Sequence, residues 1–94
     1  MSLTTAIVHI DVEADLIPEA AEAIVNIDGV TEVYSITGDW DLIAMVRTSD
    51  HEKLAEIIPG GISKVDGVIR TETQLAFRAY SRHDLEAAFS LGLD

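Results

Sequence analysis

A chain of 94 residues makes one domain, and a domain this small buries only roughly 60–65% of its unfolded surface, so association adds to its stability. Hydrophobic residues make up 48% of it and aromatic ones only 5%, which calls for an Ile, Val, Leu and Ala core with apolar surface left over for a partner. Six basic residues stand against 17 acidic ones, a net charge of −11 that argues against direct nucleic-acid binding and against anionic membranes, and the absence of cysteine excludes disulfides, thiol catalysis and Cys-ligated metals. The first residues carry no basic group ahead of a short, polar-interrupted apolar run, so they do not read as a signal peptide. No apolar stretch approaches the ~20 residues of a membrane span, and the expectation is a cytoplasmic protein.

Residues 5–13, TAIVHIDVE, alternate with period two: Ala6, Val8, Ile10 and Val12 point one way, Ile7, His9 and Asp11 the other, which predicts a strand. Residues 16–27 place Ile17, Ala20, Ala21, Ile24 and Val25 on one helical stripe, with Asp15 as the expected N-cap and Pro18 in the first turn, where its missing N–H has no partner to lose. Asp28-Gly29 ends that helix, Gly29 taking a left-handed conformation. Residues 30–37, VTEVYSIT, are β-branched and aromatic and predict a second strand. A two-residue type II′ turn at Gly38-Asp39 then leads into a third strand over 41–48, whose apolar residues on both faces mark it as central and covered on both sides.

Ser49-Asp50-His51-Glu52 reads as a capping box opening a second helix, with Leu54, Ile57, Ile58, Ile62 and Val65 inward and a kink or break at Pro59-Gly60-Gly61. Asp66-Gly67 stops this segment as Asp28-Gly29 stops the first. The last strand, 68–80, is long enough to run past the sheet, and 81–94 is a short amphipathic helix or a tail. IDGV at 27–30 and VDGV at 65–68 occupy equivalent points, so the chain is a twofold repeat of strand, helix and strand. Right-handed crossovers turn βαββαβ into a ferredoxin-like α+β sandwich: a four-stranded antiparallel sheet, strand order 4-1-3-2, with two helices on one face. If the even-numbered residues of the first strand face the helices, the other face carries Ile7, His9, Ile43 and Met45 and needs a cover, and face-to-face homodimerisation is the simplest one.

Candidate chemistry is sparse. His9 and Asp11 share a strand face but no third metal ligand is evident nearby, so His9 reads as a dimer-face or buried polar residue. No serine sits in a nucleophile motif, and no glycine loop cradles phosphate. The stretch TGDWDLIAMV, 37–46, is the exception. Local chemistry leaves two readings of it open. In one, Gly38 turns the chain, Asp39 solvates the turn, Trp40 covers an edge and Asp41 caps the strand. In the other, backbone N–H groups around Gly38 receive a carboxylate, Asp41 accepts from an ammonium group and Trp40 walls the pocket or anchors a neighbouring subunit. That combination recognises a free amino acid.

Four stretches together carry a family resemblance: AIVHIDVE in the first strand, the IDGV stop, TGDWDLIAMV and VDGVIRTETQLAF. Over 5–80 the chain resembles the effector-binding and oligomerisation (RAM) domain of Lrp/AsnC, or feast/famine, transcriptional regulators. The resemblance implies dimers formed through the sheets, further assembly into rings, often octamers, and amino-acid effectors bound where dimers meet. Carried over onto this sequence, it points to Gly38, Asp39, Trp40 and Asp41, with Thr71, Thr73 and Gln74 nearby. The first strand begins within about six residues of Met1, so a stand-alone version lacking the family's helix-turn-helix domain is expected. The resulting expectation is a non-enzymatic, cofactor-free amino-acid-sensing module, 1–94, forming a homodimer and a ring and associating with full-length regulators. A pure assembly domain and a small dimeric enzyme of the monooxygenase type are its rivals.

Overall fold

The computed structural model describes residues 3–80 and Arg82. The elements are β1 (Thr4–Val12), α1 (Ile17–Val25), β2 (Val30–Ser35), β3 (Leu42–Thr48), α2 (Lys53–Ile57) and β4 (Val68–Ala76), with 3-10 turns at Ala14–Leu16 and Ile62–Lys64. All strand pairs are antiparallel and the sheet order is β2-β3-β1-β4, the predicted order read from its other edge. The expected helix or tail over 81–94 lies, Arg82 apart, outside the described residues.

Period-two patterning sets the core. Ala6, Val8 and Ile10 of β1 and Leu42, Ala44 and Val46 of β3 have no exposed surface, and Ala20 and Ile24 of α1 close over them with Leu54, Ile57, Ile58 and Ile62 from the second helical segment. The opposite face of the two central strands holds Ile7, His9, Ile43 and Met45, all only half-buried, with no helix over it among the described residues. β3 is therefore central, as expected, but one of its two apolar faces has no cover among the described residues.

Several local expectations are corrected. Val25 is exposed: α1 runs only to Val25, and its sheet-facing stripe consists of Ile17, Ala20, Ala21 and Ile24. Asp15 does not cap α1, because residues 14–16 form a 3-10 turn of their own and Leu16 takes the N-cap place. Nor does Ser49 form a capping box. Asp50 does the equivalent work, its Oδ1 accepting from the Glu52 N–H at 3.0 Å while the Asp50 N–H donates to Thr48 Oγ1 at 3.2 Å. The second helix breaks at Pro59-Gly60-Gly61, so α2 keeps only five residues before the chain re-coils at Ile62–Lys64. The helix-side residues Thr73 and Leu75 of β4 stay exposed above this truncated layer.

Gly29 stops α1 with φ +97°, and a Cβ there would come 2.5 Å from Ile57 Cδ1. Gly38 has φ +103° but open space around it. Both alanine variants meet the same backbone penalty, about 1–3 kcal/mol for a residue forced into a sparsely populated region. Gly29→Ala must in addition displace Ile57 from the core, so urea denaturation should show it to be clearly the less stable of the two. Equal losses would mean that the core yields at Ile57.

Candidate functional site

Residues 36–41 join β2 to β3, and the structure lengthens this connection relative to the expected two-residue turn. The ladder closes with the Ile36 N–H donating to the Asp41 carbonyl at 3.0 Å, so 37–40 form a four-residue loop. Gly38 supplies the positive φ that was read from the sequence. The reason for the longer loop is that Trp40 and Asp41 are drawn towards β1 and β4.

Asp41 makes two bonds to β1 where that strand is losing its partners. Its N–H donates to the Ile10 carbonyl at 3.1 Å, and its carboxylate Oδ2 accepts from the Val12 N–H at 2.9 Å. Regular β1–β3 pairing stops at Ile10↔Leu42, and the β1–β4 register shifts between Asp11 and Val12. The carboxylate thus satisfies a strand N–H that the β3 backbone no longer reaches. Asp41 is a strand clamp, in keeping with the first reading of the loop, with its other oxygen left for a further donor.

Trp40 is half-buried at the end of the open sheet face. The Arg70 guanidinium carbon lies 4.2 Å above the centre of its ring, and the His9 ring packs beside it at 5.8 Å, tilted by 47°. Arg70 is itself held by a 2.6 Å bond from Nε to Asp11 Oδ2. A cation over an indole face at a surface site contributes about 0.5–1 kcal/mol, and an exposed ion pair no more, so the value of this stack is in fixing the ring's orientation. His9 Nε2 lies 3.0 Å from Gln74 Oε1, which leaves His9 Nδ1 buried with no hydrogen-bond partner among the described residues.

The other predicted positions separate. Strand register aligns Thr71 with Ile10, Thr73 with Val8 and Gln74 with Ile7. Directly paired residues share a face, so Thr71 and Thr73 lie on the helix side and Gln74 on the open side, beside His9 and near Trp40. Gly38 and Asp39 stand exposed at the loop tip, and the loop N–H groups of 37–40 donate to no protein acceptor among the described residues. The structure therefore gathers the backbone of 37–40, Trp40 and Asp41 at one end of the sheet, links Gln74 to them only through His9, and sets Thr71 and Thr73 on the other face. It adds Asp11 and Arg70, which sequence reasoning did not select. Their one sequence signal was alternation: His9 with Asp11 in one strand, and Arg70, Glu72 and Gln74 in the other.

A second polar group borders the open face on β2 and β3. Arg47 Nη1 donates to Thr31 Oγ1 at 2.8 Å and pairs with Glu32 Oε1 at 3.3 Å, while the Tyr34 hydroxyl donates to Glu32 Oε2. The Tyr34 hydrogen bond, with Arg47 second, holds the Glu32 carboxyl below the usual carboxylate range, and the same bond to Glu32 raises the Tyr34 phenol. Among the described residues, no three His, Asp or Glu side chains converge on a metal position. Nor is any helix of those residues long and apolar enough to cross a membrane.

The frame of the site is a ferredoxin-like sandwich whose sheet has one helix-covered and one half-apolar face, with the β2–β3 loop clamped at the end of the latter. The chain belongs to the family described as the Lrp/AsnC ligand binding domain, which matches residues 5–85. It is 39% identical over 59 residues to the uncharacterised HTH-type transcriptional regulator PH1916 of Pyrococcus horikoshii, a match covering 63% of this chain and 39% of that protein. The matched segments span less than half the length of the curated regulators. Among solved structures, TTHA0845 from Thermus thermophilus superposes with a TM-score of 0.79 at 47% identity, covering 84% of this chain and 99% of that one. The transcriptional regulator NMB0573 of Neisseria meningitidis, solved as an L-Met complex, shares the fold at a TM-score of 0.75 and 12% identity, covering 84% of this chain and 53% of that one.

Proposed function

We propose that the chain is an amino-acid-binding, oligomerising regulatory module without catalytic activity, acting in the cytoplasm. Two copies pair through their open sheet faces, pairs assemble further, and a free amino acid is held where loop 36–41 meets another subunit. Association with full-length regulators of the family would carry the signal to DNA. The observation that carries this reading is the state of the loop: Asp41 and Trp40 fix it, while its N–H groups at 37–40 remain without protein acceptors among the described residues, beside an unobstructed Gly38. Backbone N–H groups without a protein acceptor among the described residues suit a carboxylate. Asp41 Oδ1 then faces the ammonium end, and Trp40 provides the wall. The L-Met complex of a regulator with the same fold makes amino acids the ligands to try first.

A thermal-shift series over the twenty amino acids tests the ligand. A ligand present at a hundredfold its Kd should add about 2.7 kcal/mol, and hence several degrees in Tm. If none of the twenty moves the Tm, the sensor reading gives way to a pure assembly domain. One observation already favours that rival: half of the Asp41 carboxylate is committed to Val12 within the fold. Light scattering tests both together, since each requires a dimer or larger species at micromolar concentration.

A further inference from the structure

β4 ends at Ala76, paired with Thr5, and the chain bends at Phe77 and runs on to Tyr80 outside the sheet. Phe77 is 99% exposed and Tyr80 79%, with Leu3 beside them at 59%. Fully exposed aromatic side chains forgo the stabilisation that burial of an aromatic ring brings, and a neighbouring pair of them marks a contact surface. The segment 77–82, FRAYSR, is also unusual in charge: it holds two of the six basic residues of the chain and no acidic one.

At the foot of this arm lies a groove of about 280 Å³, walled by Leu3, Ile7, Met45, Arg47 and the first arm residues Phe77 and Arg78. Small-molecule sites generally run from about 300 to 1,000 Å³, so this one is scaled to a side chain. Ile7 and Met45 also belong to the open sheet face, at the end opposite Trp40, so the groove is continuous with the surface through which two copies are taken to pair.

We propose that residues 77–80 form an arm exchanged between two copies, the aromatic side chains of each seating in the groove of the other. Three observations select a second copy as the occupant. The groove is continuous with the open face. The chain presents both parts of the contact, aromatic arm and apolar groove, as a two-fold interface requires. The arm carries Arg78 and no acidic residue, and another copy of a chain of net charge −11 is an acidic partner. The proposal rests on the pairing of sheet faces put forward above and adds the element that locks it.

The test is sedimentation equilibrium over a dilution series of the wild type and of Phe77→Ser/Tyr80→Ser, with circular dichroism to follow folding. The exchanged arm predicts an unchanged spectrum and a dimer Kd raised at least about tenfold to a hundredfold, the factor for one fully buried aromatic contact, of which the double substitution removes four from a symmetric dimer. Because the chain has no cysteine, Leu3→Cys and Tyr80→Cys variants add one thiol each, and oxidation of their mixture should yield a disulfide between the two. A wild type that is monomeric throughout overturns the pairing and the arm together. A wild-type dimer whose Kd is unmoved by the double substitution overturns the arm alone. A loss of monomer stability with an unmoved Kd also overturns it, because the aromatics would then be covered by their own chain.

Discussion

Ile10→Ala should lower the stability of the folded chain by about 2–5 kcal/mol, the range for truncating a fully buried aliphatic residue to alanine. Ile10 has no exposed surface, sits in β1 between β3 and β4, and lies on the face covered by α1. A domain of 94 residues has about 5–14 kcal/mol of stability at ~0.05–0.15 kcal/mol per residue, so from about a seventh to all of it is at stake. Each kcal/mol moves the Tm of a domain this small by about 4–8 °C. Denaturant titration at one protomer concentration measures the loss, the concentration being held because any dimer contributes by mass action. A change below about 1 kcal/mol would mean that the sheet relaxes into the cavity and that this core is looser than its burial indicates.

Asp41→Ala should cost about 1.5–3 kcal/mol in the absence of any ligand, because the Val12 N–H, part-buried, loses a charged acceptor 2.9 Å away. Asp41→Asn, which keeps an oxygen at that position, should recover most of the loss. The comparison matters for function. An alanine variant that fails to respond to an amino acid could fail because the loop has come away from β1. The asparagine variant keeps the clamp and removes only the negative charge that an ammonium group would meet. If Asp41→Asn retains wild-type stability yet loses the thermal shift, the carboxylate meets the ligand. If it retains both, Asp41 is a clamp alone and ligand recognition falls to the backbone of 37–40. If Asp41→Ala is as stable as the wild type, the clamp contributes nothing to the fold.

The double role open to Asp41 explains why the loop reads ambiguously from its residues. Gly38 announces a turn by its need for positive φ, and the turn is there. The length of that turn is not a local property. The ladder closes at Asp41 rather than nearer Gly38 because Trp40 packs on Arg70 and His9 and the Asp41 carboxylate meets Val12, partners distant in sequence. The division among Thr71, Thr73 and Gln74 has a similar origin. Neighbours in β4 alternate between faces, and which face is which follows from the pairing with β1, including the shift at Asp11 and Val12. Helix ends erred for a more local reason: Asp15 and Ser49 are good capping residues, but a 3-10 turn and the neighbouring Asp50 claim those places.

By itself, the sequence determined the features that depend on period and handedness. Alternation grouped Ala6, Val8, Ile10 and Val12 on one face, which the structure buries, the helical stripe assigned Ala20 and Ile24, and the proline-glycine run broke the second helix. The repeated Asp-Gly stops and right-handed crossovers then left one topology for six elements. Only the tertiary structure decided which polar residues meet. Asp11 and Arg70 are 59 positions apart, and no local pattern records that strand register stacks their ion pair over Trp40. Burial is legible from composition because it is a property of single residues in sequence. A site is a relation between residues, set by register, bulges and the edges of the sheet.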